Sequence, residues 1–357
     1  MSDLHLDSLE IKNFRCFEHL VIEKLGRVNL IVGRNSVGKT CLLEAIRLYT
    51  SKAFMWDLWQ ILIDRDDIYY KKDDNVAIDI DQLSSLFYNL KIVKYVQNIE
   101  IGKPNNDAQK ITLNIGYPDG DSIGLADVGE RSLGFFYITH NSQKIFHKFP
   151  ASLGFGLGLT LSYNSPKGNR TFVPTGGIGK FLAARLWDQA VLEGTDAIVL
   201  KTLRILVPKI SNIYMISGDD NGPIRYPFVK LENTENPIRL SSMGDGMMRV
   251  FGLALATVKS KNGYLLIDEF ENGLHHSVQV DIWRMIFETA KLLNTQVFAT
   301  THSWDCVEAF QEAAAEDHNE EAMLIRLQRK KDGTGIQAIS YDERRMAIAT
   351  EQGIEVR

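Results

Sequence analysis

Residues 28–49 read VNLIVGRNSVGKTCLLEAIRLY, and this stretch decides the fold class of the chain. The largely apolar run Val28–Val32, bounded by glycines, is typical of a buried strand. Gly33–Thr40 match the pattern G-x-x-x-x-G-K-[ST] at every position, and the apolar spacing that follows predicts a helix over Lys39–Tyr49. A strand, a glycine-rich loop and a helix in this order form a cradle of backbone N–H groups for phosphate.

The glycine-rich loop predicts a site for the phosphates of ATP. Glycines let the backbone come close to a ligand, and the N-terminus of the following helix favours anions. The amine of Lys39 can reach the outer phosphates, and the hydroxyl of Thr40 can ligate Mg²⁺. A guanine-reading [NT]-K-x-D motif is missing from the sequence, so we expect ATP rather than GTP. The candidate ATP-binding residues are Gly33, Arg34, Asn35, Ser36, Val37, Gly38, Lys39, Thr40 and Cys41.

Two further apolar runs end in polar side chains suited to catalysis. Tyr264–Ile267 is followed by Asp268 and Glu269, and the strand-like run around Val297–Ala299 leads to His302. Because functional groups collect at the carboxyl ends of parallel strands, we expect these side chains beside the phosphate loop. Asp268 would hold the magnesium, Glu269 would polarise the attacking water, and His302 would contact the γ-phosphate. The plainer alternatives are a solvated acidic turn and a structural histidine.

Composition limits the classes of partner and compartment. The 40 Lys and Arg residues against 45 Asp and Glu residues give a net charge of −5, which disfavours a strongly basic nucleic-acid binder. Apolar runs stay well below the ~18 residues of a membrane span, so we expect no membrane association. The three cysteines are far apart, which indicates reduced thiols and a cytoplasmic protein.

The spacing of the motifs predicts an interrupted α/β domain. Lys39 and Asp268 are 229 positions apart, too far for a compact motor domain without an insertion. We therefore assign residues 1–50 and 225–357 to a discontinuous P-loop head. Residues 51–224, between the phosphate loop and the later motifs, form an insertion with a β-rich part followed by a helical part.

The order of the motifs resembles that of a known group of ATPases. Leu240–Gly246 read LSSMGDG and precede the acidic strand, as a signature loop does in ATP-binding-cassette (ABC) ATPases. The P-loop head therefore resembles an ABC-ATPase head. The stretches IKNFRCFEHL, LSSMGDGMMRVFGLALA, LLIDEFENGLHHS and VFATTHS more closely resemble the stand-alone AAA-type ATPases of the RecF/OLD group. Members of the OLD group proper also carry a Toprim nuclease domain, which we do not expect within the 55 residues after His302.

This resemblance implies a head-to-head homodimer, or a higher oligomer, that encloses two ATP molecules. Ser242 and Gly244 would touch the γ-phosphate bound by the opposite subunit, and Asn272–Leu274 would lie across the interface. Arg15 would contact the nucleotide, whereas the glutamine loop of these ATPases cannot be placed. The implied function is a hydrolysing sensor that controls a separately encoded effector, a nuclease or toxin, in bacterial anti-phage defence.

Two other functions stay open on the sequence. The protein could be a scaffold that binds ATP without hydrolysing it and holds an effector inactive. It could also be a RecF-like DNA-repair ATPase that binds DNA ends. Weak binding of nucleic acid would use a basic path on the predicted insertion, formed by Lys91, Lys94, Lys103 and Lys110.

Overall fold

The structure, a computed structural model, describes residues 4–52, 54–67, 75–76, 80–90, 98–116, 135–140, 143–148, 153–154, 169–218, 224–316 and 321–351. The elements of the first half are β1 (Leu9–Phe14), β2 (Phe17–Ile22), β3 (Val28–Val32), α1 (Lys39–Tyr49), α2 (Phe54–Asp64), β4 (Asn75–Val76), β5 (Ile99–Gly102), β6 (Lys110–Gly116), β7 (Phe135–His140), β8 (Gln143–Lys148), β9 (Leu153–Gly154) and β10 (Arg170–Val173). The elements of the second half are α3 (Lys180–Leu192), α4 (Asp196–Leu206), β11 (Ile210–Ser217), β12 (Arg225–Leu231), β13 (Ile238–Arg239), α5 (Asp245–Lys259), β14 (Tyr264–Ile267), α6 (His276–Leu292), β15 (Gln296–Thr300), α7 (Trp304–Glu316), β16 (Ala322–Arg329), β17 (Ile336–Tyr341) and α8 (Glu343–Glu351).

A six-stranded sheet in the order β10-β14-β15-β3-β16-β17 carries the predicted motifs. All neighbouring pairs are parallel except the hairpin of β16 and β17. The carboxyl ends of β14, β15 and β3 therefore lie side by side at one edge, where ligands bind in α/β sheets. The predicted α/β architecture with a P-loop head is confirmed.

The central sheet is buried on both faces, which explains the unbroken apolar runs of its strands. Leu265 and Ile267 of β14 pack into a core with α5 and α6, while Leu266 between them packs on the opposite face with α1. Alternation of side chains along a strand produces this division. The strand that carries the P-loop and the strand that carries the acidic pair are thereby held rigidly in register.

Parts of the segment 51–224 are built into the two large sheets. The second sheet, in the order β2-β1-β5-β6-β7-β8, joins β5 from this segment to β1 from the chain's beginning. The strand β10 pairs with β14 residue by residue, from Arg170 opposite Tyr264 to Val173 opposite Ile267. The segment is thus continuous with the head at these strands, and the division at residues 50 and 225 stays a prediction. In the described ranges, every helix is too short or too polar to cross a bilayer.

Candidate functional site

The P-loop has a backbone shape that only glycine permits at two positions. Gly33 and Gly38 have φ angles of 147° and 94°, in the left-handed region. A Cβ atom on Gly38 would lie 2.5 Å from Sγ of Cys16 and 2.8 Å from the ring of Phe17. A Cβ atom on Gly33 would lie 2.5 Å from the carbonyl oxygen of Leu327. The loop is therefore a fixed cradle whose walls come from β2 and β16 as well as from the loop itself.

Lys39 is folded back onto the P-loop. Its Nζ donates hydrogen bonds to the carbonyl oxygens of Gly33 at 2.7 Å and Arg34 at 3.2 Å. Burial lowers the pKa of this amine, and the nearby carboxylates of Glu271 and Asp268 act in the opposite direction. Phosphate oxygens entering the loop would offer stronger, charged acceptors than these carbonyl groups.

Asp268 lies near Thr40, the residue predicted to share Mg²⁺ with it. Its Oδ1 accepts a hydrogen bond of 2.6 Å from the hydroxyl of Thr300, and both carboxylate oxygens lie 3.4 Å from the hydroxyl of Thr40. The hydroxyl of Thr175, at the end of β10, is 3.5 Å from Oδ2. The predicted pair Thr40 and Asp268 is therefore brought together. A carboxylate with hydroxyl oxygens around it is the hard-oxygen donor set that Mg²⁺ prefers, so the residues present fit that ion.

Thr175 is a site residue that sequence reasoning missed. It follows the edge strand β10, and a long insertion separates it from the P-loop in the sequence. The pattern offers only a Pro-Thr-Gly turn, which is typical of any loop. The structure places this turn beside Asp268, and no glutamine of the described residues makes a hydrogen bond there.

Glu269 occupies an unusual backbone position directly after Asp268. Its φ of 47° is in the left-handed region, which costs a non-glycine residue about 1 kcal/mol or more. The backbone N–H of Glu269 donates to the hydroxyl of Thr300 at 2.9 Å, which fixes the turn. The Glu269 side chain keeps 40% of its surface exposed, so the carboxylate is free to meet a water molecule.

His302 lies beside the acidic pair, as predicted. Its Nδ1 is 3.9 Å from Oε1 of Glu269 and 3.1 Å from Oε1 of Glu271. The same Glu271 oxygen accepts a hydrogen bond of 3.1 Å from the backbone N–H of His302. Sequence reasoning missed Glu271, although a carboxylate two positions after Glu269 was the available signal.

Arg249 on α5 is a second missed residue, and it ties three elements together. Its Nη2 donates to the carbonyl oxygens of Asp268 at 3.1 Å and Glu269 at 2.9 Å. Its Nη1 donates to the carbonyl oxygen of Pro174 at 2.8 Å. Burial lowers the pKa of this guanidinium, an effect that Asp268 and neighbouring carboxylates oppose. The helix that follows the signature loop is thereby bonded to the acidic turn.

The signature loop is exposed at its two predicted contact residues. Leu240–Met243 form a short 3₁₀ turn, Gly244 has a φ of 102°, and α5 begins at Asp245. Ser242 is exposed, and a Cβ atom on Gly244 would meet no atom within 4 Å among the described residues. Contact with a second subunit's ATP stays a prediction.

Arg15 is held by acidic residues of its own subunit. Its Nη1 donates to Asp67 at 2.7 Å and to the carbonyl oxygen of Ser85 at 3.1 Å, and its Nε lies 3.3 Å from Glu44. The side chain is 9% exposed. The structure therefore gives Arg15 an ion-pair role, and a contact with nucleotide would require it to leave these partners.

The predicted basic path is neutralised where the structure describes it. Lys103 pairs with Asp7 at 2.6 Å, and Lys110 pairs with Glu10 at 2.9 Å. Lys91 and Lys94 lie outside the described residues. The lysines of this path that are described have their charges matched within the chain, which weakens the case for a phosphate-binding track.

The chain is similar to nucleotide-hydrolysing and DNA-repair proteins. A protein described as an ATP/GTP phosphatase of Helicobacter pylori (strain ATCC 700392 / 26695) is 25% identical over 353 residues, which cover 87% of this chain and 89% of that protein. The DNA replication and repair protein RecF of Pseudoalteromonas translucida (strain TAC 125) is 30% identical over 158 residues, 41% of this chain and 42% of RecF.

The fold is also found among solved structures. The Smc head in its complex with the C-winged helix domain of ScpA matches with a TM-score of 0.51 and 16% identity, over 94% of this chain and 98% of that one. At this identity the likeness establishes a shared fold. The family model for the AAA ATPase domain matches residues 5–151 and 185–307, well over half of the sequence. The chain belongs to the AAA ATPase domain family.

Proposed function

We propose that this protein is a Mg²⁺-dependent ATPase that works as a dimeric switch for a separate effector protein. The observation that carries the proposal is the convergence of three motifs at one sheet edge. Lys39 and Thr40 follow β3, Asp268 and Glu269 follow β14, and His302 follows β15, the strand between those two. These groups are the parts that phosphoryl transfer to water needs in P-loop ATPases.

The residues divide the work of hydrolysis by their chemistry. The P-loop amides and Lys39 bind the phosphates, and Mg²⁺ held by Thr40 and Asp268 would neutralise charge on the phosphate oxygens. The exposed Glu269 carboxylate orients the attacking water and accepts its proton. His302, fixed by Glu271, donates a hydrogen bond to the terminal phosphate. Thr175 adds a hydroxyl to the oxygen set around Asp268.

Dimerisation would complete the site. The exposed Ser242 and Gly244 are at the start of α5, where a helix N-terminus favours a phosphate of the opposite subunit. Arg249 on the same helix is bonded to the carbonyl groups of Asp268 and Glu269. A phosphate bound by the signature loop would thus act on a helix that is attached to the catalytic turn. Loss of that phosphate on hydrolysis would release the dimer.

The role proposed for the switch rests on the resemblance of the motif order to that of the RecF/OLD group. This resemblance favours the control of a nuclease or toxin effector in anti-phage defence. The RecF similarity favours a second candidate, a DNA-repair ATPase, which requires that duplex DNA bind and stimulate hydrolysis. A single measurement of ATPase activity with and without duplex DNA at low salt separates the two candidates.

The central experiment compares ATP hydrolysis by the wild type, Glu269→Gln and the exposed control Glu232→Gln. We expect a kcat about 100-fold lower for Glu269→Gln, with ATP still bound, because the variant keeps the cradle but lacks the base. Light scattering with ATP and Mg²⁺ should show Glu269→Gln as a stable dimer. Equal and negligible turnover of all three proteins would favour the non-hydrolysing scaffold, and an unchanged mass would contradict closure by nucleotide.

A further inference from the structure

A cavity lies along the outer edge of β10, away from the P-loop. It is open to one side, has a volume of about 320 Å³, and is bounded by α1, α2, α3 and the end of α5. Among the described strands, β10 is the last of the central sheet, so one edge of its backbone faces this space. The roles proposed for the catalytic site leave the residues of this cavity unused.

The cavity contains a buried cluster of opposite charges. Asp57 has no exposed side-chain surface, and it accepts hydrogen bonds from Nε of Arg47 at 3.1 Å and Nη2 of Arg170 at 2.5 Å. The hydroxyl of Ser51 donates to the same carboxylate. Arg47 also lies 3.4 Å from the exposed carboxylate of Asp64, so the two guanidinium groups are balanced by two carboxylates. The excess positive charge of the lining therefore comes from Lys52 and Lys259.

The whole lining has an excess of positive charge in a chain that is acidic overall. Lining residues carry four positive and two negative side-chain charges, whereas the chain has a net charge of −5. The charged lining residues are Arg47, Lys52, Arg170, Lys259, Asp57 and Asp64. Such a local reversal of sign favours an anionic ligand.

A buried hydroxyl at the same cavity lacks a partner. Thr171 is 7% exposed, and its Oγ1 has no hydrogen-bond partner among the described residues. Side chains alternate along β10, so Arg170 and Phe172 lie on one face of the strand and Thr171 lies on the other. The cavity is lined by residues of both faces because it runs along the edge of the strand. A buried polar group without a partner is rare, and a ligand with acceptor oxygens would satisfy it.

The strand edge itself adds hydrogen-bonding groups. The carbonyl oxygens of Asn169 and Val173 accept bonds from Tyr264 and Asp268 of the β14 segment. Because peptide groups alternate along a strand, those of Arg170 and Phe172 face outward, toward the cavity. Aromatic side chains at its border supply apolar surface; they are Trp56, Phe172 and Tyr264.

We propose that this cavity binds a small phosphate-bearing molecule with a planar apolar part. The cations and the Thr171 hydroxyl bind the phosphate oxygens, and the aromatic side chains contact the planar part. The size is that of an ordinary small-molecule pocket. The ligand class follows from the charge excess, the unpartnered hydroxyl and the aromatic border together.

The position of the cavity gives it a route to the catalytic site. A neighbouring groove contains Thr40 and Asp268, and it shares four lining residues with the cavity: Arg47, Asp64, Phe172 and Pro174. Arg47 is two turns after Thr40 on α1, and Thr175 directly follows Pro174. A ligand in the cavity therefore changes the ATPase rate. This effect on the rate rests on the proposed function, whereas the binding of the ligand is independent of it.

Calorimetry on the full chain tests the binding. The probes are inorganic phosphate, adenosine, and the 5′-monophosphates of adenosine, guanosine, cytidine and uridine. A Lys39→Ala background weakens phosphate binding at the P-loop, and the measurement does not depend on hydrolysis. We expect one or more monophosphates to bind this variant at least about tenfold more tightly than adenosine, because adenosine lacks the charge.

Substitutions at the cavity locate the site. In the same background, Lys259→Gln and Thr171→Val should each weaken binding about tenfold, whereas Lys261→Gln, an exposed lysine two positions away, should leave it unchanged. Thr171→Val should also unfold at the same or a higher temperature without ligand, because it removes an unsatisfied buried hydroxyl. Stronger salt should weaken the binding.

Defined results overturn the proposal. The proposal is overturned if no phosphate-bearing probe binds in the Lys39→Ala background. It is also overturned if Lys259→Gln and Lys261→Gln lose the same amount of binding affinity. A monophosphate that binds the cavity but leaves the wild-type ATPase rate unchanged would overturn the coupling alone. Failure of the wild type to hydrolyse ATP would count against the proposed function and leave the calorimetry to decide on the site.

Discussion

Glu271 holds His302 at two points, because one carboxylate oxygen lies 3.1 Å from Nδ1 of the ring and accepts a 3.1 Å hydrogen bond from the backbone N–H. The clamp fixes both the turn after β15 and the direction of the imidazole. With Nδ1 held by Glu271, the other ring nitrogen is left for the hydrogen bond to phosphate that the proposed mechanism requires. Glu271 is thus a positioning residue in the proposed mechanism, 11% exposed and close to the reacting groups.

Replacement of Glu271 should reduce turnover more than substrate binding. We expect Glu271→Ala to lower kcat about 10–100-fold with little change in KM, because the phosphate cradle is intact while the ring is released. Glu271→Gln keeps one acceptor oxygen and should restore part of the rate. Steady-state kinetics of both variants beside His302→Ala provide the check, and a Glu271→Ala enzyme with wild-type kcat would refute the clamp.

The hydroxyl of Thr300 joins the two carboxylate residues of the site. It donates to Asp268 at 2.6 Å and accepts from the backbone N–H of Glu269 at 2.9 Å. Thr300→Val removes both bonds at constant shape and should destabilise the fold by about 1–3 kcal/mol and slow ATP hydrolysis. Thr300→Ser retains the hydroxyl and should hydrolyse ATP nearly as well as the wild type. Kinetics together with thermal unfolding measure the two effects; equal activity of the valine and serine variants would speak against this bridge.

A methyl group at Gly38 should disrupt the cradle. The new Cβ would meet Sγ of Cys16 and the ring of Phe17 at a φ of 94°, so we expect Gly38→Ala to lose about 2–4 kcal/mol and to bind ATP weakly. Gly333 in the β16–β17 turn has a φ of 75° but open space around it, so Gly333→Ala isolates the backbone cost of about 1 kcal/mol. Chemical unfolding and ATP calorimetry compare the variants, and equal losses would show that the wall formed by β2 is unimportant.

The charge cluster of Asp57 should be a major source of stability. Asp57→Asn leaves Arg47 and Arg170 buried without their shared carboxylate, which should cost about 3–5 kcal/mol. Asp64, 55% exposed and 3.4 Å from Arg47, offers the matched control, and Asp64→Asn should cost less than about 1 kcal/mol. Urea unfolding midpoints decide the comparison. Similar midpoints for the two variants would contradict a structural role for the buried cluster.

The sequence predicted those parts of the site that local pattern encodes. Three segments have a short signature of this kind: the P-loop, the strand before Asp268 and the strand that leads to His302. In each of them, an apolar strand pattern is followed closely by side chains that can bind a ligand. Side chains from these segments meet because parallel strands end at a common edge. The same rule brings Thr40 and Asp268 together from the sequence alone.

The rest depends on contacts between distant segments that leave no local trace. Thr175 reaches Asp268 only because β10 joins the central sheet as its outer strand, and Arg249 reaches the acidic turn only because α5 packs beneath it. Arg15 was expected near the nucleotide, yet Glu44 and Asp67 are positioned to neutralise it. The identity of a charged residue's partner is a tertiary property, which neither spacing nor composition contains.

The position of β3 between β15 and β16 has a consequence for biosynthesis. The strand that carries the P-loop is synthesised well before its neighbours, because 263 residues separate Val32 from Gln296, where its first parallel neighbour begins. At about 5–20 residues per second, the loop waits roughly 13–53 s for the strands that fix it. A nascent chain that has not yet reached β15 therefore lacks both the parallel neighbours of β3 and the candidate site that they assemble.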